Sequence, residues 1–491
     1  MNLYPTYEEA LAIAKKSDAK TLPVTTEILS DFTTPIETLR ILRALSSQCF
    51  LLESAKADEE WGRYTFLGLN PKFALAVYEG YAEINGLKVA SESPASLIRQ
   101  LLQRYKGIKL EGMPPFCGGL VGSFSFDYFA GCEPAAKGAS HDDSSCLARL
   151  MLFDQLICFD HVRQKLILIA NMDLEHPESS YQKAVFELKS LKDMILHGKK
   201  SADLSGRLLE SPKPLFEKEQ FTEIVEKAKK HIYEGDIFQI VLSNALQAPF
   251  AGSLFETYRH LRTINPSPYM FYLCMDALEC AGASPETLVR LENGILHTFP
   301  LAGTRPRGKT RQEDQALEAE VLADEKELAE HDMLVDLGRN DLGRISRLGS
   351  VRVEKLHEVQ RYSHVMHIGS SVCSEIRDDL DALDAVASVL PAGTLSGAPK
   401  IRACQLIDEL EDSPRSLYGG AVGYIDFSGN MDLCIAIRLL FKENGLLTIR
   451  SGAGIVADSD PEKEYEECLN KARSSLNALM AAMEDGHALD D

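Results

Sequence analysis

The sequence predicts an α+β protein with two lobes, in which largely antiparallel β-sheets are covered by helices. Its 491 residues include 45% hydrophobic and 25% charged side chains, which are the proportions of an ordinary globular protein. Segments with the two-residue period of strands follow one another in runs and do not alternate strictly with helical segments. Such runs favour antiparallel sheets over the parallel sheets of βαβ proteins.

A polar, turn-rich segment over 198–214 is the best candidate for a boundary between the lobes, because lysine, serine and proline interrupt the periodicity there. The sequence therefore predicts an N-terminal lobe over 1–205 and a second region over 215–485. In the first lobe the pattern predicts strands at 73–84 and 165–170 and a helix at 181–196.

The second region has a sharper pattern. Phe221, Val225, Ala228 and Ile232 form one apolar stripe of a helix that Gly235 ends. Strands are predicted at 237–242, 269–273, 288–291, 421–427, 433–440 and 446–450, and further helices at 312–337, 400–408 and 461–483.

The balance of charge excludes several classes of partner. Lysine and arginine total 52 and aspartate and glutamate 73, so the formal net charge is −21. A surface this acidic repels nucleic acids and anionic membranes, and neither is an expected partner. A small anionic ligand would need a local group of cations to bind.

The cysteines and the start of the chain indicate a reducing compartment. The eleven cysteines include no C-x-x-C pair, which argues against a zinc ribbon or a thioredoxin-type site. The first residues lack the features of a signal peptide, and no apolar stretch reaches the roughly 18 residues of a membrane-spanning helix. The sequence therefore predicts a cytoplasmic protein.

Carboxylates on two predicted helices are candidate metal ligands. Glu464, Glu467 and Lys471 lie along one edge of the last helix. Two neighbouring carboxylates suit a hard cation such as Mg²⁺, although a solvated face with a Glu467–Lys471 pair is the alternative. Glu330 shares a helical row with core residues, where a carboxylate needs a metal or a partner such as Arg339.

Glycine-rich turns follow several predicted strands. They contain Gly303-Thr304, Gly393-Thr394, Gly419-Gly420 and Gly452-Ala453-Gly454. Glycine allows a backbone to approach a ligand closely and to present N–H groups to an anion, although most such turns are only turns. The 393–400 segment does not match a nucleotide phosphate loop, because its second glycine is one residue early and Ile401 stands where a hydroxyl is needed.

Taken together, these segments resemble the signature blocks of the chorismate-utilising enzymes. The resemblance runs from about residue 216 to 480, with the blocks in family order, and it implies an active site between the sheets. The blocks are 300–308, 330–341, 393–400, 418–424, 450–457 and 461–471.

The resemblance implies a metal site and a substrate site. Glu330 and Glu467 would hold Mg²⁺, with Glu464 nearby, and the metal would bind the ring carboxylate of chorismate. Without the resemblance, Arg438 in a strand would be read as an ordinary ion pair. Arginine forks and backbone N–H groups suit planar carboxylates. The implied substrate-binding residues are Gly303, Thr304, Thr394, Tyr418, Arg438, Gly452, Ala453 and Gly454.

Two positions distinguish relatives within the family. Isochorismate and salicylate synthases, which add water, have a base lysine where this chain has Gln239, and a glutamine cannot deprotonate water. Aminodeoxychorismate synthase typically has lysine at the position of Ala302. Both differences favour the amination of chorismate by ammonia with loss of pyruvate, which gives anthranilate in the first step of tryptophan biosynthesis.

The implied catalytic residues are Glu286, His367, Gln239 and Lys471. Glu286 would protonate the departing C4 hydroxyl and would need a raised pKa to do so. His367 would assist loss of the enolpyruvyl group, although a lone histidine is more often a satisfied core residue.

The resemblance also implies two partners. No cysteine lies in the G-x-C-x-G context of a glutaminase, so we expect a separate glutaminase subunit that supplies ammonia within a hetero-oligomer. Ser54, Pro268, Tyr269 and Met270 lie in segments that resemble the family's feedback site for tryptophan, and a turn plus a core strand is the alternative. Two other functions stay open: aminodeoxychorismate synthase component I, and a non-catalytic regulator that binds chorismate or tryptophan.

Overall fold

The structure is a computed structural model that describes residues 1–55, 62–138, 144–201, 205–361, 365–411 and 413–488. Its strands are β1 Leu3–Tyr4, β2 Thr21–Leu29, β3 Gln48–Glu53, β4 Tyr64–Leu69, β5 Phe73–Tyr78, β6 Tyr81–Ile84, β7 Leu87–Ala90, β8 Gly119–Phe124, β9 Ala148–Phe153, β10 Gln155–Asp160, β11 Lys165–Asp173, β12 Gly206–Leu208, β13 Lys213–Pro214, β14 Gln239–Gly252, β15 Tyr269–Met275, β16 Leu278–Ser284, β17 Thr287–Glu292, β18 Ile295–Thr298, β19 Leu301–Pro306, β20 Arg352–Arg361, β21 Val365–Glu375, β22 Gly397–Ala398, β23 Ala421–Asp426, β24 Met431–Ile435, β25 Leu439–Glu443 and β26 Leu446–Ile455.

The helices lie between and around these strands, with short 3₁₀ turns at Pro134–Ala136 and Gly393–Leu395. They are α1 Tyr7–Ala14, α2 Pro35–Leu45, α3 Pro94–Arg104, α4 Tyr128–Cys132, α5 Pro177–His197, α6 Lys218–Glu234, α7 Phe255–Ile264, α8 Arg311–Ala323, α9 Glu325–Gly343, α10 Ala382–Val389, α11 Lys400–Glu411 and α12 Pro461–Ala488.

The strands form two large antiparallel sheets. The first sheet runs β1-β2-β11-β10-β4-β3-β15-β16-β25-β26-β14-β12, with β13 and β22 also paired to β14. The second runs β19-β21-β18-β17-β24-β23-β8-β9-β5-β6-β7, with β20 paired to β21. The α+β class with largely antiparallel sheets is therefore confirmed.

Alternating side chains of the first sheet build two separate cores. On β15, Phe271 and Leu273 point into the core between the two sheets. Their neighbours Met270 and Tyr272 point into a second core, which the sheet shares with α2, α5, α7 and α12. Because both faces are buried, this strand is apolar at every position and does not alternate with polar residues.

A single predicted helix over 312–337 is two helices, α8 and α9, and this prediction was wrong. The break is at Asp324, whose backbone is extended and whose side chain accepts hydrogen bonds from the N–H groups of Lys326 and Glu327. Arg305 donates to the same carboxylate at 2.9 Å. An aspartate held in this way caps a new helix more favourably than it continues the old one.

The predicted strand over 433–440 is also two strands, and they lie in different sheets. β24 belongs to the second sheet and β25 to the first. Residues 436–438 carry the chain from one sheet to the other, and Arg438 has a positive φ of 53°. Arg438 therefore stands at a crossing between sheets and not within a strand, which corrects the prediction.

Other bounds differ less. The predicted 73–84 strand is the hairpin β5–β6, and the strand expected at 237–242 begins at Gln239 and extends to Gly252. Both predicted regions, 1–205 and 215–485, contribute strands to each sheet. Residues 202–204 of the predicted boundary lie outside the described residues. Among the described helices, none is long and apolar enough to cross a membrane.

Candidate functional site

The main cavity, of about 980 Å³, opens between the two sheets. Its walls come from β14 and β26 of the first sheet, β19 and β21 of the second, and α9 and α12. The cavity residues named as site candidates from the sequence are Gln239, Glu286, Gly303, Thr304, Glu330, His367, Thr394, Tyr418, Arg438, Gly452, Gly454, Glu464, Glu467 and Lys471. The structure thus brings together groups spread over more than 230 positions of the chain, which spacing alone does not place together.

Two of these residues lie where the chain passes between the sheets. Glu286 lies between β16 and β17, and Arg438 lies between β24 and β25. The two crossings run side by side: the N–H of Ala283 donates to the carbonyl of Arg438, and the N–H of Ile435 donates to that of Glu286, both at 3.0 Å. These hydrogen bonds fix both functional side chains on one wall of the cavity.

The Glu286 carboxyl is withdrawn from bulk water. Burial raises its pKa to about 8, and a hydrogen bond from the Thr394 hydroxyl, at 3.4 Å, opposes that rise. A carboxyl with this pKa is largely protonated at neutral pH and can donate a proton. The group has the property of a general acid.

The His367 imidazole is held neutral. Burial lowers its pKa, as does the charge of Arg438, while a hydrogen bond to the Gly303 carbonyl opposes the shift. Nδ1 lies 3.2 Å from that carbonyl oxygen and 3.1 Å from the Thr304 hydroxyl. Because a carbonyl only accepts, Nδ1 carries the proton and Nε2 keeps the lone pair.

A close approach of backbone to side chain requires glycine on β26. A Cβ at Gly452 would meet the Tyr418 hydroxyl at 2.9 Å and the Leu242 carbonyl oxygen at 2.7 Å. Gly452 and Gly454 face the cavity, whereas Ala453, on the other face of the strand, is fully buried in the core beneath α6 and α11. The Ala453 side chain therefore does not reach the cavity, so a contact from this residue would have to come from its backbone.

Three carboxylates converge on the cavity from α9 and α12. Burial raises the pKa of Glu330, and the negative charges of Glu327 and Glu467 raise it further. Burial likewise raises the pKa of Glu464, with Glu467 contributing. A cation between these carboxylates would reduce their mutual repulsion. A set of donors made only of oxygen atoms fits a hard ion such as Mg²⁺.

In this structure a lysine neutralises part of that charge. Lys471 Nζ lies 2.6 Å from Glu467 Oε1 and donates to the Gly452 carbonyl at 3.0 Å. Among the described residues, the tightest clusters of metal-ligand atoms do not include Glu330, Glu464 and Glu467 together. The donor set fits a hard cation, but the carboxylates must move closer together to share one.

A buried ion network lies behind Arg450, whose side chain lines the cavity. The Glu411 carboxylate accepts from Arg415 Nε (2.9 Å), Arg450 Nη2 (2.7 Å) and the N–H of Ser243 (2.7 Å). Burial would raise the pKa of Glu411, but the charges of Arg415 and Arg450 lower it. The Asp127 carboxylate also acts on Arg450, so the two buried arginines are balanced by two carboxylates. The sequence analysis did not identify Glu411 and Arg415 as candidates. Residue spacing shows neither that they are buried nor that they contact Arg450.

A second, smaller cavity, of about 110 Å³, also lies between the sheets. Ser54, Pro268, Tyr269 and Met270, the residues that resemble a tryptophan site, all line it. It also contains Glu53, which belongs to the same segment as Ser54, and two charged groups that the sequence did not reveal, Arg290 and Asp432. Burial raises the pKa of Asp432 to about 6, while Arg290 and the Tyr269 hydroxyl oppose the shift.

Comparison with known proteins agrees with this geometry. A family model described as chorismate binding enzyme matches residues 47–477. The chain belongs to this family. Its resemblance to chorismate-utilising enzymes is therefore confirmed.

Within the family, the similar proteins share one name. Anthranilate synthase component 1 of Acetivibrio thermocellus is 45% identical over 493 residues, which cover 98% of this chain and 99% of that protein. The Aquifex aeolicus protein of the same name is 41% identical over 495 residues and 99% of both chains. The crystal structure of anthranilate synthase component I from Streptococcus pneumoniae is 35% identical, with a TM-score of 0.74, over 91% of this chain and 98% of that one.

The buried network predicts a large loss of stability when its anion is removed. We expect Glu411→Gln to lower the free energy of unfolding by about 3–5 kcal/mol, because it leaves two buried arginines without a counter-charge. The exposed Glu409, on the same helix, provides the control, and Glu409→Gln should change the value by less than about 0.5 kcal/mol. Urea denaturation measures both, and equal effects would show that the network is not a special source of stability.

Proposed function

We propose that this chain is the chorismate-converting component of an anthranilate synthase, which aminates chorismate with ammonia and eliminates pyruvate. The observation that carries the proposal is the convergence of a protonated carboxyl, Glu286, with the Glu330 and Glu467 carboxylates around one cavity. The relatives named anthranilate synthase component 1, which match nearly the whole chain, support the same activity.

Glu330 and Glu467 would hold Mg²⁺, with Glu464 close by. When bound, the metal supplies a Lewis acid that stabilises charge on the ring carboxylate of the substrate. Lys471, now paired with Glu467, would be released from that pair and could turn toward an anionic group in the cavity. Lys471 thus partly neutralises Glu467, a role that a bound divalent ion would take over.

Chorismate carries two carboxylates, and the cavity offers them cationic and N–H donors. Arg438 and the backbone of Gly303, Gly452 and Gly454 line it, with the Tyr418 hydroxyl beside Gly452. We propose that these groups, together with Thr304 and Thr394, orient the substrate.

The side chains divide the proton chemistry between them. Glu286 would give its proton to the C4 hydroxyl as that group departs. Gln239, at the start of β14, cannot remove a proton from water, so the site favours ammonia, which already has a lone pair. His367, neutral and with Nε2 unprotonated, would take up a proton during loss of the enolpyruvyl group.

We propose a separate glutaminase component as the source of ammonia, since no cysteine of this chain has the sequence context of a glutaminase nucleophile. We propose that the two components form a hetero-oligomer and act in the cytoplasm.

We further propose that tryptophan binds in the smaller cavity and inhibits catalysis. A zwitterion needs both charges, and Arg290 suits the carboxylate while Glu53 and Asp432 suit the ammonium. A cavity of about 110 Å³ is smaller than ligand pockets of roughly 300–1,000 Å³, so an indole ring enters only if side chains move.

Such a side-chain movement would be transmitted to the main cavity through few contacts. Tyr269 pairs with Ser284, two residues before Glu286, and its hydroxyl lies 3.0 Å from that of Thr287, the residue after Glu286. Displacement of Tyr269 by a ligand would therefore shift the crossing that holds the acid. This gives the proposed inhibition a physical mechanism.

Incubation of the purified chain with chorismate, Mg²⁺ and ammonium tests the activity. We expect anthranilate fluorescence together with pyruvate, and neither product when glutamine replaces ammonium. Pyruvate released only after addition of a lyase would identify an aminodeoxychorismate synthase, and absence of both products would identify a non-catalytic binder.

The metal proposal is tested in the same assay. We expect Glu467→Gln to lower turnover by about 100-fold or more, because a bound divalent ion contributes several kcal/mol to transition-state stabilisation. The neighbouring exposed Glu466 supplies the control, and Glu466→Gln should retain activity and the same Mg²⁺ dependence. Wild-type activity at low Mg²⁺ in Glu467→Gln would exclude this carboxylate as a ligand.

The Glu286 proposal makes a prediction about pH. The acid form is present below the pKa of about 8 and is lost as the pH rises through it, so kcat should fall on the alkaline side with an apparent pKa near that value. We expect Glu286→Gln to lower kcat by about 10²–10⁴-fold and to remove this alkaline limb of the pH profile, that is, the fall in kcat at high pH. Thr394→Val deletes the hydrogen bond that lowers the pKa, so it should move the limb to higher pH. An alkaline limb unchanged in Glu286→Gln would assign it to another group.

The effector proposal concerns a carboxylate that no motif indicated. We expect Asp432→Asn to raise the tryptophan concentration for half inhibition by about tenfold or more, because one buried charge pair with the ligand ammonium is lost. Asp426 is a buried acid nearby that does not line the cavity, and Asp426→Asn should leave the inhibition constant unchanged. Inhibition curves for the two variants and the wild type give the comparison, and equal sensitivity of all three would contradict the assignment.

A further inference from the structure

Three side chains on the outer part of the second sheet meet at a point that the proposed function does not use. His297 on β18, Cys373 on β21 and Glu354 on β20 each offer a metal-ligand atom, and these atoms all lie within 4.8 Å of one another. His297 Nε2 is 3.6 Å from Glu354 Oε2, and the Cys373 thiol is hydrogen-bonded to the same carboxylate. Imidazole, thiolate and carboxylate are the three ligand types that proteins use for Zn²⁺.

Strand register and a β-bulge bring the three side chains together on one face. His297 pairs directly with Cys373 in the β18–β21 ladder. On the opposite side of β21, Arg352 of β20 pairs with Cys373, and Glu354 is the extra residue of a β-bulge between the Val353–Val372 and Lys355–Ser371 pairs. Paired residues point to the same face of a sheet, and a bulge redirects the side chain of the extra residue. Cys373 therefore stands in the middle, fully buried, with the partly exposed His297 and Glu354 on either side of it.

We infer that His297, Glu354 and Cys373 form a binding site for a thiophilic divalent cation such as Zn²⁺, with solvent completing its coordination. Binding exchanges the thiol proton for the metal: the S–H bond breaks, the proton leaves to solvent, and a metal–thiolate bond forms without any change in oxidation state. The ion would tie β20, an edge strand paired only to β21 among the described strands, to β18 across the central strand. The expected consequence is a more stable sheet edge.

The protonation of His297 favours metal binding, whereas that of Cys373 opposes it. Burial lowers the pKa of His297, so that its imidazole is neutral and has a lone pair at neutral pH. Burial and the adjacent Glu354 raise the pKa of Cys373 to about 11, so the thiol gives up its proton only to a metal or at high pH. Metal binding should therefore strengthen as the pH rises.

Charged neighbours modulate the affinity. Arg352 donates to Glu354 at 3.3 Å and lies in the same row as the ligands, and the charge of Arg290 also acts on His297. These cations oppose a second positive ion, while Glu292 favours it. The Ser371 hydroxyl donates to Glu354 at 3.4 Å and supports that carboxylate. Arg352 is the most exposed of these groups and can move into solvent when a metal arrives.

The site is separate from the main cavity. His367 lies on the same strand as Cys373, six residues earlier, a separation of about 20 Å along a strand. None of the three ligands lines the main cavity. A test can therefore fail here without affecting the proposed activity, and the reverse also holds.

Cobalt provides the test, because Co²⁺ bound to a thiolate gives a charge-transfer absorption band that oxygen ligands do not give. The full chain, freed of metal and kept reduced, is titrated with Co²⁺ in excess Mg²⁺, and Zn²⁺ is then added to displace it. We expect the thiolate band with the wild type, its loss on Zn²⁺ addition, and a rise in melting temperature with Zn²⁺.

Four variants make the assignment specific. Cys373→Ser should abolish the band, and His297→Gln should weaken Co²⁺ binding by more than the roughly 10–100-fold that loss of an outer-shell partner costs. Arg352→Gln should tighten binding several-fold, because it removes the competing cation. Cys468→Ser is the matched control: that thiol is next to Glu467, and the band should persist without it.

The inference is overturned if the wild type gives no thiolate band, or if the band survives in Cys373→Ser or disappears in Cys468→Ser. Because Cys373 is fully buried, its variant is first checked for folding by its melting temperature. If Cys373→Ser does not fold, the more exposed His297→Gln and Arg352→Gln decide the matter by shifting affinity in opposite directions. Equal Co²⁺ affinity in His297→Gln and Arg352→Gln would overturn the inference.

Discussion

Two segments of chain pass from one sheet to the other side by side, and backbone hydrogen bonds between them fix the sheets at the edge of the main cavity. One segment contains Glu286 and the other contains Arg438. Where a chain passes from one sheet to another, its backbone N–H and C=O groups lose their partners in the sheet ladder. The two crossings provide these groups with hydrogen-bond partners in each other. The same wall separates the main cavity from the smaller one, where Tyr269 contacts Thr287. The proposed acid and the proposed effector site thus depend on a single piece of backbone.

Electrostatics in this protein work at two scales. The chain as a whole has a net charge of −21, whereas beneath the main cavity the buried Arg415 and Arg450 share the Glu411 carboxylate, and Asp127 also acts on Arg450. Burial makes these local charges effective, because few water molecules remain to screen them. Above them, Glu330 and Glu467 repel each other and are partly neutralised by Lys471. A divalent cation would relieve the remaining repulsion between these carboxylates.

Much of the fold followed from local patterns in the sequence. The stripe from Phe221 to Ile232 and the left-handed Gly235 define α6, and the apolar runs define β15 and β26. The wrong predictions of helices and strands lie where a tertiary contact overrides the periodic pattern of apolar residues. Asp324 is held by Arg305 and begins a new helix, and the 433–440 run is divided between two sheets. An apolar run has the same appearance whether its two halves pair in one sheet or in two.

By itself, the sequence determined the fold class, the family, and a set of candidate residues that the chain brings to two cavities. Only the tertiary structure decided which of them face a ligand: it turned Ala453 into the core, placed Arg438 at a crossing, and joined Glu411 to Arg450, 39 residues away. Local spacing specifies which residues share a face of one element, because the periods of helices and strands are fixed. Spacing does not specify which faces meet, since that depends on pairing between strands far apart in the chain.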